Sequence, residues 1–468
     1  MVAIPVPATD AELSRLVWTE DLRREHGFEP LTIEGKLPAS LRGTLYRNGP
    51  GRFGQFGKRY GHPFEADGAV TAIRIADGRA TGASRITQSV GLREERAAGE
   101  LRYGMSAPWL RRVTNVIRGR RKNTANTSIV VWQGRLFALM EAAKPTELAP
   151  RDLATIGPTN LGVIRSMFSA HPHRVESRRT IYNFGLEYGR HNRIHLYALP
   201  DVGPARHLGA VDLSGPPMLH DFIATDNHLV FFVSPVRVDL PRMLTQIGTF
   251  EQLFRWQPRH GTEIVCVPID RPSEVVRFTT EAFYQWHFAN AFERDHELIV
   301  DYVRYPDFNS FGELGGIATG ASSPEALTEG RYHRASIDLR KRALRSTQLA
   351  DRPCEFPTLA PGMHAREHDL AYVVLDNFGA IGSIDARGTI VAHEVPEDER
   401  VTEPVYANGH LLALTHRRDR AFVAVYNAAR IPDGPVAKIW LDHWVPITFH
   451  GVFAPDDSGH ERVDDEAR

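Results

Sequence analysis

Ser128-Ile-Val-Val-Trp132, Gln133-Gly134 and Arg135-Leu-Phe-Ala-Leu-Met140 read as strand, two-residue turn and strand. β-Branched and aromatic residues fill the first run and a glycine closes the reversal, which is the pattern of a β-hairpin. The same grammar recurs at 222–233, 263–268, 298–302, 371–375, 410–415 and 421–426. Helical periodicity is confined to 10–26, where Leu13, Leu16, Val17 and Leu22 fall near one face, and to 109–118 and 240–254. Strands this numerous, with so few helices between them, exclude a doubly wound α/β sheet. A chain of 468 residues with no linker favours an all-β closed radial array, a β-propeller. Seven blades would take about 67 residues each, although no internal repeat fixes the count. Residues 1–454 are expected to form one propeller domain with an N-terminal helix and cap insertions. The polar, charge-dense residues 455–468 are expected to be a disordered tail.

Composition narrows the function. Lys and Arg total 56 against 57 Asp and Glu, a formal net charge of −1, which argues against a nucleic-acid partner. Cys266 and Cys354 are too few for a disulfide framework or a cysteine zinc site, so a reducing, cytoplasmic location is expected. The first residues carry no secretion-signal pattern, and no apolar run is long enough for a membrane-spanning helix. Any bound metal must therefore use His, Asp or Glu.

The chain has 21 histidines. His26, His191, His260, His296, His333, His364, His368, His416 and His460 lie among charged neighbours and are expected at the surface. Four others occupy apolar, strand-like settings: His171, His220, His287 and His450. Each alone fits a hydrogen-bonded core histidine better than a ligand, and their spacing matches no local chelate. A propeller, however, brings the inner strands of separate blades to one axis, where dispersed histidines can meet. Glu141, Glu355 and Glu403 sit in similar settings. Beside an imidazole such a carboxylate fixes the tautomer and raises basicity toward a metal. The same residues fit strand-end glutamates facing solvent equally well.

Several segments go further: Tyr46-Arg-Asn-Gly-Pro-Gly51, Asn126-Thr-Ser128 with Leu139-Met-Glu141, Ala170-His-Pro-His173 and Met218-Leu-His-Asp-Phe222. They continue with Trp286-His-Phe-Ala-Asn-Ala-Phe-Glu293, Cys354-Glu-Phe-Pro357, Glu403-Pro-Val-Tyr406 and Phe449-His-Gly451. In these segments and their order the chain resembles the carotenoid cleavage oxygenases. The resemblance implies a seven-bladed β-propeller with a loop and helix cap over a non-haem Fe(II) ion on the axis. It implies His171, His220, His287 and His450 as iron ligands. Glu141, Glu355 and Glu403 would support His220, His287 and His450 respectively, and His171 would have no carboxylate partner. His173 competes for the first ligand position, but the family places that ligand before the proline. His62 falls in a family motif without being a ligand. Thr127 would stand near an open coordination position in a steric role.

By the same resemblance O2 is co-substrate, a conjugated C=C bond is cleaved to two carbonyl products, and no reductase partner is required. There are departures: Phe64-Glu-Ala-Asp-Gly68 replaces the usual Asp-Gly-Asp-Gly loop, and Val452-Phe453 stands where an aromatic close is common. The phenolic branch of the family carries a lysine directly before the first supporting glutamate. Here that residue is Met140, with Lys122 only nearby in sequence, so an apolar carotenoid or apocarotenoid polyene is the expected substrate. A stilbenoid- or phenylpropene-cleaving oxygenase of the same family is the alternative, ahead of a relative isomerising retinyl esters. From other classes come a non-catalytic propeller binding module, which leaves four histidines and three glutamates unexplained, and a metal-dependent hydrolase, which prefers carboxylate ligands for a hard cation. The basic, apolar stretch 109–122 suits peripheral contact with a membrane surface, as does the apolar series 240–254. A helix capping the propeller fits the first equally and the second better.

Overall fold

Ser128–Trp132 pairs antiparallel with Arg135–Leu139, and Gln133 (φ 50°) and Gly134 (φ 73°) both take the left-handed conformation. That combination is the type I′ turn, whose twist matches the strands it joins. Asp77-Gly78, Asp295-His296 and Asn408-Gly409 repeat it, each with both residues at positive φ. The computed structural model describes residues 10–418 and 420–456.

Among the described residues the strands form seven sheets of four or five strands and two small two-stranded sheets. The seven sheets are the blades of an all-β propeller, as expected. Five blades are contiguous in sequence. The other two interlock the chain ends: His450–Pro455 supplies the inner strand of the first blade by pairing with Gly43–Arg52. Thr32–Gly35 supplies the outer strand of the last blade by pairing with Pro435–Trp440.

The packing explains the continuous apolar runs. In His228–Val233, Leu229, Phe231 and Val233 pack toward the preceding blade with Phe184 and Leu196. Val230 and Phe232 pack toward the following blade with Phe288, Val300 and Tyr302. A blade covered on both sides needs apolar residues at every position, so the period-2 signal disappears. Each such fully buried side chain contributes about 1.5–3 kcal/mol.

Among the described residues five α-helices cap the blades: α1 (Asp10–Thr19), α2 (Val90–Ala98), α3 (Trp109–Ile117), α4 (Leu240–Thr245) and α5 (Asn309–Thr319). Leu13, Leu16, Val17 and Trp18 of α1 pack with Leu314 and Ile317 of α5, Trp444 and Phe449. α1 is shorter than its periodicity suggests, because His26 opens a strand, His26–Pro30, that pairs with the first blade. The stretch 240–254 breaks after Thr245, where Gln246 (φ 55°) caps the helix in the left-handed region. α2 and α5 were not legible; α5 contains Gly312, Gly315 and Gly316, which lower its helix propensity. Pro455, assigned to the tail, is the last residue of the closing strand; the expected tail from 457 onward lies outside the described residues. No helix among the described residues is long and apolar enough to cross a membrane. Cys266 and Cys354 are buried and free.

Candidate active site

Each of the seven inner strands brings a side chain to the axis from itself or its immediate flank. Thr127 precedes Ser128–Trp132, His171 precedes His173–Val175, and His220 precedes Ile223–Ala224. His287 lies in Tyr284–Arg294, Glu355 in Cys354–Thr358, Glu403 in Glu399–Ala407, and His450 opens the closing strand. Glu141 follows Arg135–Leu139. The register slips at His287, Glu355 and Glu403. Such bulges turn a strand and re-aim side chains, here toward the centre.

The four histidine rings face one another. His171 lies with centroids 4.2 Å from His220, 5.2 Å from His287 and 4.7 Å from His450. Nε2 of His220 and Nε2 of His287 are 3.4 Å apart, and Nε2 of His171 is buried without a partner. The outer nitrogens meet carboxylates. Nδ1 of His287 lies 2.5 Å from Oε2 of Glu355, and Nδ1 of His450 lies 2.8 Å from Oε1 of Glu403. Nδ1 of His220 is 2.8 Å from Oε1 of Glu141, close but not aligned as a hydrogen bond. The three pairings are those expected from sequence.

Each carboxylate is held from behind. Glu355 accepts from the Tyr305 hydroxyl at 3.0 Å, and Glu141 from Thr127 at 3.5 Å. Glu403 accepts from Arg47 Nη1 at 2.6 Å and from the Gly451 amide at 2.8 Å. Gly451 must be glycine, because a Cβ there would stand 2.6 Å from Cδ of Arg47. Arg47 has no exposed surface; it also donates to Thr448 and to the Glu403 carbonyl.

Burial pushes the His171 pKa well below its ordinary value, with the other three imidazoles adding to the effect. Burial also lowers His450, against the pull of Glu403. Burial would lower His287 too, but Glu355 outweighs it and the net shift is upward. For Glu141 and Glu403 burial raises the pKa, yet His220, and His450 with Arg47, hold them below the usual carboxylate range. Carboxylates on Nδ1 leave the Nε2 lone pairs turned inward. His171, His287 and His450 offer ligand atoms within 4.8 Å of one another. Glu141, Glu355 and Glu403 around the rings, with Arg47 as the guanidinium on Glu403, leave an excess of carboxylates that favours a cation. An all-imidazole donor set suits Fe, Zn, Cu or Ni rather than Mg or Ca. The residues therefore fit an iron(II) ion.

A cavity opens onto His220, His287 and His450 and encloses about 820 Å³ of space free of atoms, its mouth included. Its walls are mostly apolar and aromatic, including Trp18, Phe64, Trp286, Phe356, Phe378 and Phe449. Thr127 lines it beside the histidines. Phe356 takes a left-handed backbone (φ 53°) at the bulge of Glu355, which places its ring 5.1 Å from His287 and 5.6 Å from His450.

Other candidates resolve differently. His173 turns its Nε2 to Asp221 at 2.8 Å. His62 caps the turn at Phe64 and bonds the Phe311 carbonyl, and burial lowers its pKa to about 4. Lys122 is buried between Asp67 and Glu95, at 2.8 and 2.7 Å, outside the cavity walls. It therefore leaves the exposed basic face on which it was counted. The altered loop keeps Gly68, whose Cβ would meet the Ala125 carbonyl at 2.2 Å. Two histidines expected at the surface are buried: His368 beside Asp301 at 3.2 Å, and His416 bonded to the Val445 carbonyl at 2.9 Å. For His416, in the strand His410–Arg417, charged sequence neighbours say little, because adjacent residues face opposite sides. Sequence reasoning gave no role to Arg47, Tyr305 or Asp221. Arg47 and Asp221 lie inside quoted motifs, and Tyr305 carried no signal.

Fold and site together define a seven-bladed β-propeller enzyme with an axial four-histidine centre. Residues 19–455 match the retinal pigment epithelial membrane protein family. The chain belongs to that family, the carotenoid cleavage oxygenases, and is an oxygenase. It is 29% identical to the apocarotenoid-15,15'-oxygenase of Synechocystis sp., over 90% of this chain and 92% of that one. It is 24% identical to a carotenoid cleavage oxygenase of Mycobacterium tuberculosis (91% and 94% covered) and 25% identical to an isoeugenol monooxygenase of Pseudomonas nitroreducens (91% and 94%). Among solved structures, a cobalt-substituted form of the Synechocystis enzyme superposes with a TM-score of 0.85 at 26% identity, covering 95% of this chain and 98% of that chain.

Proposed function

We propose that His171, His220, His287 and His450 hold Fe(II), and that the protein cleaves a conjugated double bond of a carotenoid or apocarotenoid with O2. The observation that carries this reading is the aromatic cavity ending on the convergent histidines. Bound there, iron(II) supplies the one-electron chemistry that lets O2 react with a closed-shell alkene. The chain does the rest. Glu141, Glu355 and Glu403 fix the imidazole tautomers and balance the ion's charge. Thr127, anchored to Asn126 and Glu141, narrows the space beside the histidines. The aromatic walls hold the polyene and exclude water from the reacting carbons. Both oxygen atoms enter the two carbonyl products, so no external reductant is consumed.

Met140 and the buried Lys122 favour a polyene over a phenol. No ammonium group from either position reaches the cavity to hold a phenolate. Substrate delivery from a lipid surface is supported by α3 and α4, which lie together through the Trp109 Nε1 bond to the Thr245 carbonyl at 2.8 Å. Leu110 (72% exposed), Ile117 (80%), Leu244 (63%) and Ile247 (62%) are apolar side chains left in solvent there. Exposed apolar residues among arginines are the composition of an interfacial helix.

The test is anaerobic Fe(II) reconstitution, then O2 with a panel of apocarotenoids, hydroxystilbenes and isoeugenol. The expected result is loss of the polyene absorption band and two aldehyde or ketone products, identified by mass. Turnover of the phenols alone overturns the substrate assignment.

A further inference from the structure

His171 is the one ligand with no glutamate of its own. Its backbone amide donates to Ser169 Oγ at 3.1 Å, and it precedes the short strand His173–Val175. Asp221 adjoins three of the four ligands. It directly follows His220; its Oδ1 meets His173 Nε2 at 2.8 Å, and its Oδ2 accepts the Phe288 amide, next to His287, at 2.9 Å. Oδ1 also accepts its neighbour's amide, Phe222, at 2.8 Å. The carboxylate is buried, so water competes little for these bonds. Hydrogen bonds to an ionised carboxylate are about twice as strong as neutral ones. The Phe288 amide lies at the bulge that aims His287 inward, where the ladder register slips. The His173 ring is fixed on a second side, edge-on to Phe222 with centroids 5.2 Å apart.

We infer that Asp221 is a positioning residue for the metal centre, setting His171 through its bond to His173 and thereby serving the ligand that lacks a glutamate. The inference rests on the reading of the four histidines as metal ligands. One buried carboxylate ties the segments carrying His171, His220 and His287, which come from three successive blades. Glu403 and Arg47 tie the fourth.

The test measures Fe(II) affinity against a chromogenic chelator, the visible d–d spectrum of the Co(II)-loaded protein, and melting of the metal-free form, all without turnover. His173→Ala and Asp221→Ala should each weaken Fe(II) binding by about 10–100-fold, as loss of such outer partners does, and alter the Co(II) spectrum. His173→Gln, whose amide still donates to the carboxylate, should keep most of the affinity. The double variant His173→Ala/Asp221→Ala should bind no more weakly than Asp221→Ala, because the two act as one unit. Wild-type affinity and Co(II) spectrum in His173→Ala, or losses that multiply in the double variant, overturn the inference. Should Asp221→Ala fail to fold, the contrast between His173→Ala and His173→Gln decides alone. A wild-type protein that binds no divalent metal overturns the reading of the site, and the inference with it.

Discussion

Replacing Arg47 by methionine withdraws a guanidinium with no exposed surface while keeping an unbranched apolar stem. Arg47 makes one ion pair, to Glu403 at 2.6 Å, and bonds Thr448 Oγ1 at 2.9 Å and the carbonyls of Glu403 and Thr448 at 3.2 Å. Removing one partner of a buried pair costs about 3–5 kcal/mol, because the other charge stays buried. At ~1.4 kcal/mol per factor of ten, the folded-to-unfolded ratio should fall at least ~100-fold. Urea unfolding of the metal-free protein by tryptophan fluorescence, with the refolding curve superimposing, reads this directly. The cost should shrink when Glu403→Gln is added, since that variant has no orphaned charge. It should also be smaller in the iron-loaded protein, where the cation offsets the excess of carboxylates. A loss below about 1 kcal/mol, or a double variant no more stable than Arg47→Met alone, refutes the argument that this arginine neutralises Glu403.

His450→Ala should leave the far-ultraviolet spectrum unchanged yet retain under a tenth of the wild-type iron after desalting; full retention would remove His450 from the ligand set. Burial pushes the Glu65 carboxyl up to about 7 from 4.5. The folded chain thus keeps a proton that the unfolded chain has released. This group's stabilisation is whole below about 4.5 and lost as pH rises through 7. Glu65→Gln should flatten that part of the stability curve and be more stable than the parent at pH 8 by up to ~3 kcal/mol; an unchanged slope between pH 5 and 8 sinks the claim. Leu110→Ser/Ile117→Ser should lose flotation with anionic liposomes while keeping turnover of detergent-dispersed substrate. A parent that does not float refutes the interfacial role of α3.

The hairpin at 128–139 was legible because its turn chemistry and its strands agree. The four clustered histidines were legible for a weaker reason. An apolar setting singled them out, and the glutamates and motif order marked them further, whereas His416, among charged neighbours, is itself buried on a carbonyl. The fold hid the rest. An arginine in a strand looks like a solvent-facing residue, and nothing local shows that Arg47 points into the space between blades. The helix α5 was masked by its glycines, and Tyr305 reaches Glu355 from a neighbouring blade. Bulges at His287 and Glu355 leave no mark in composition, yet they aim the side chains.

The double clasp between the chain ends bears on the order in which the enzyme becomes competent. His450 opens the strand that completes the first blade, and Thr32–Gly35 completes the last. During synthesis His171, His220 and His287 emerge well before His450, while the ring is still open. A nascent chain therefore holds an unfinished histidine cluster until its final strand finds Gly43–Arg52. The strand that closes the ring thus also completes the histidine cluster, so one pairing joins the integrity of the fold to that of the site.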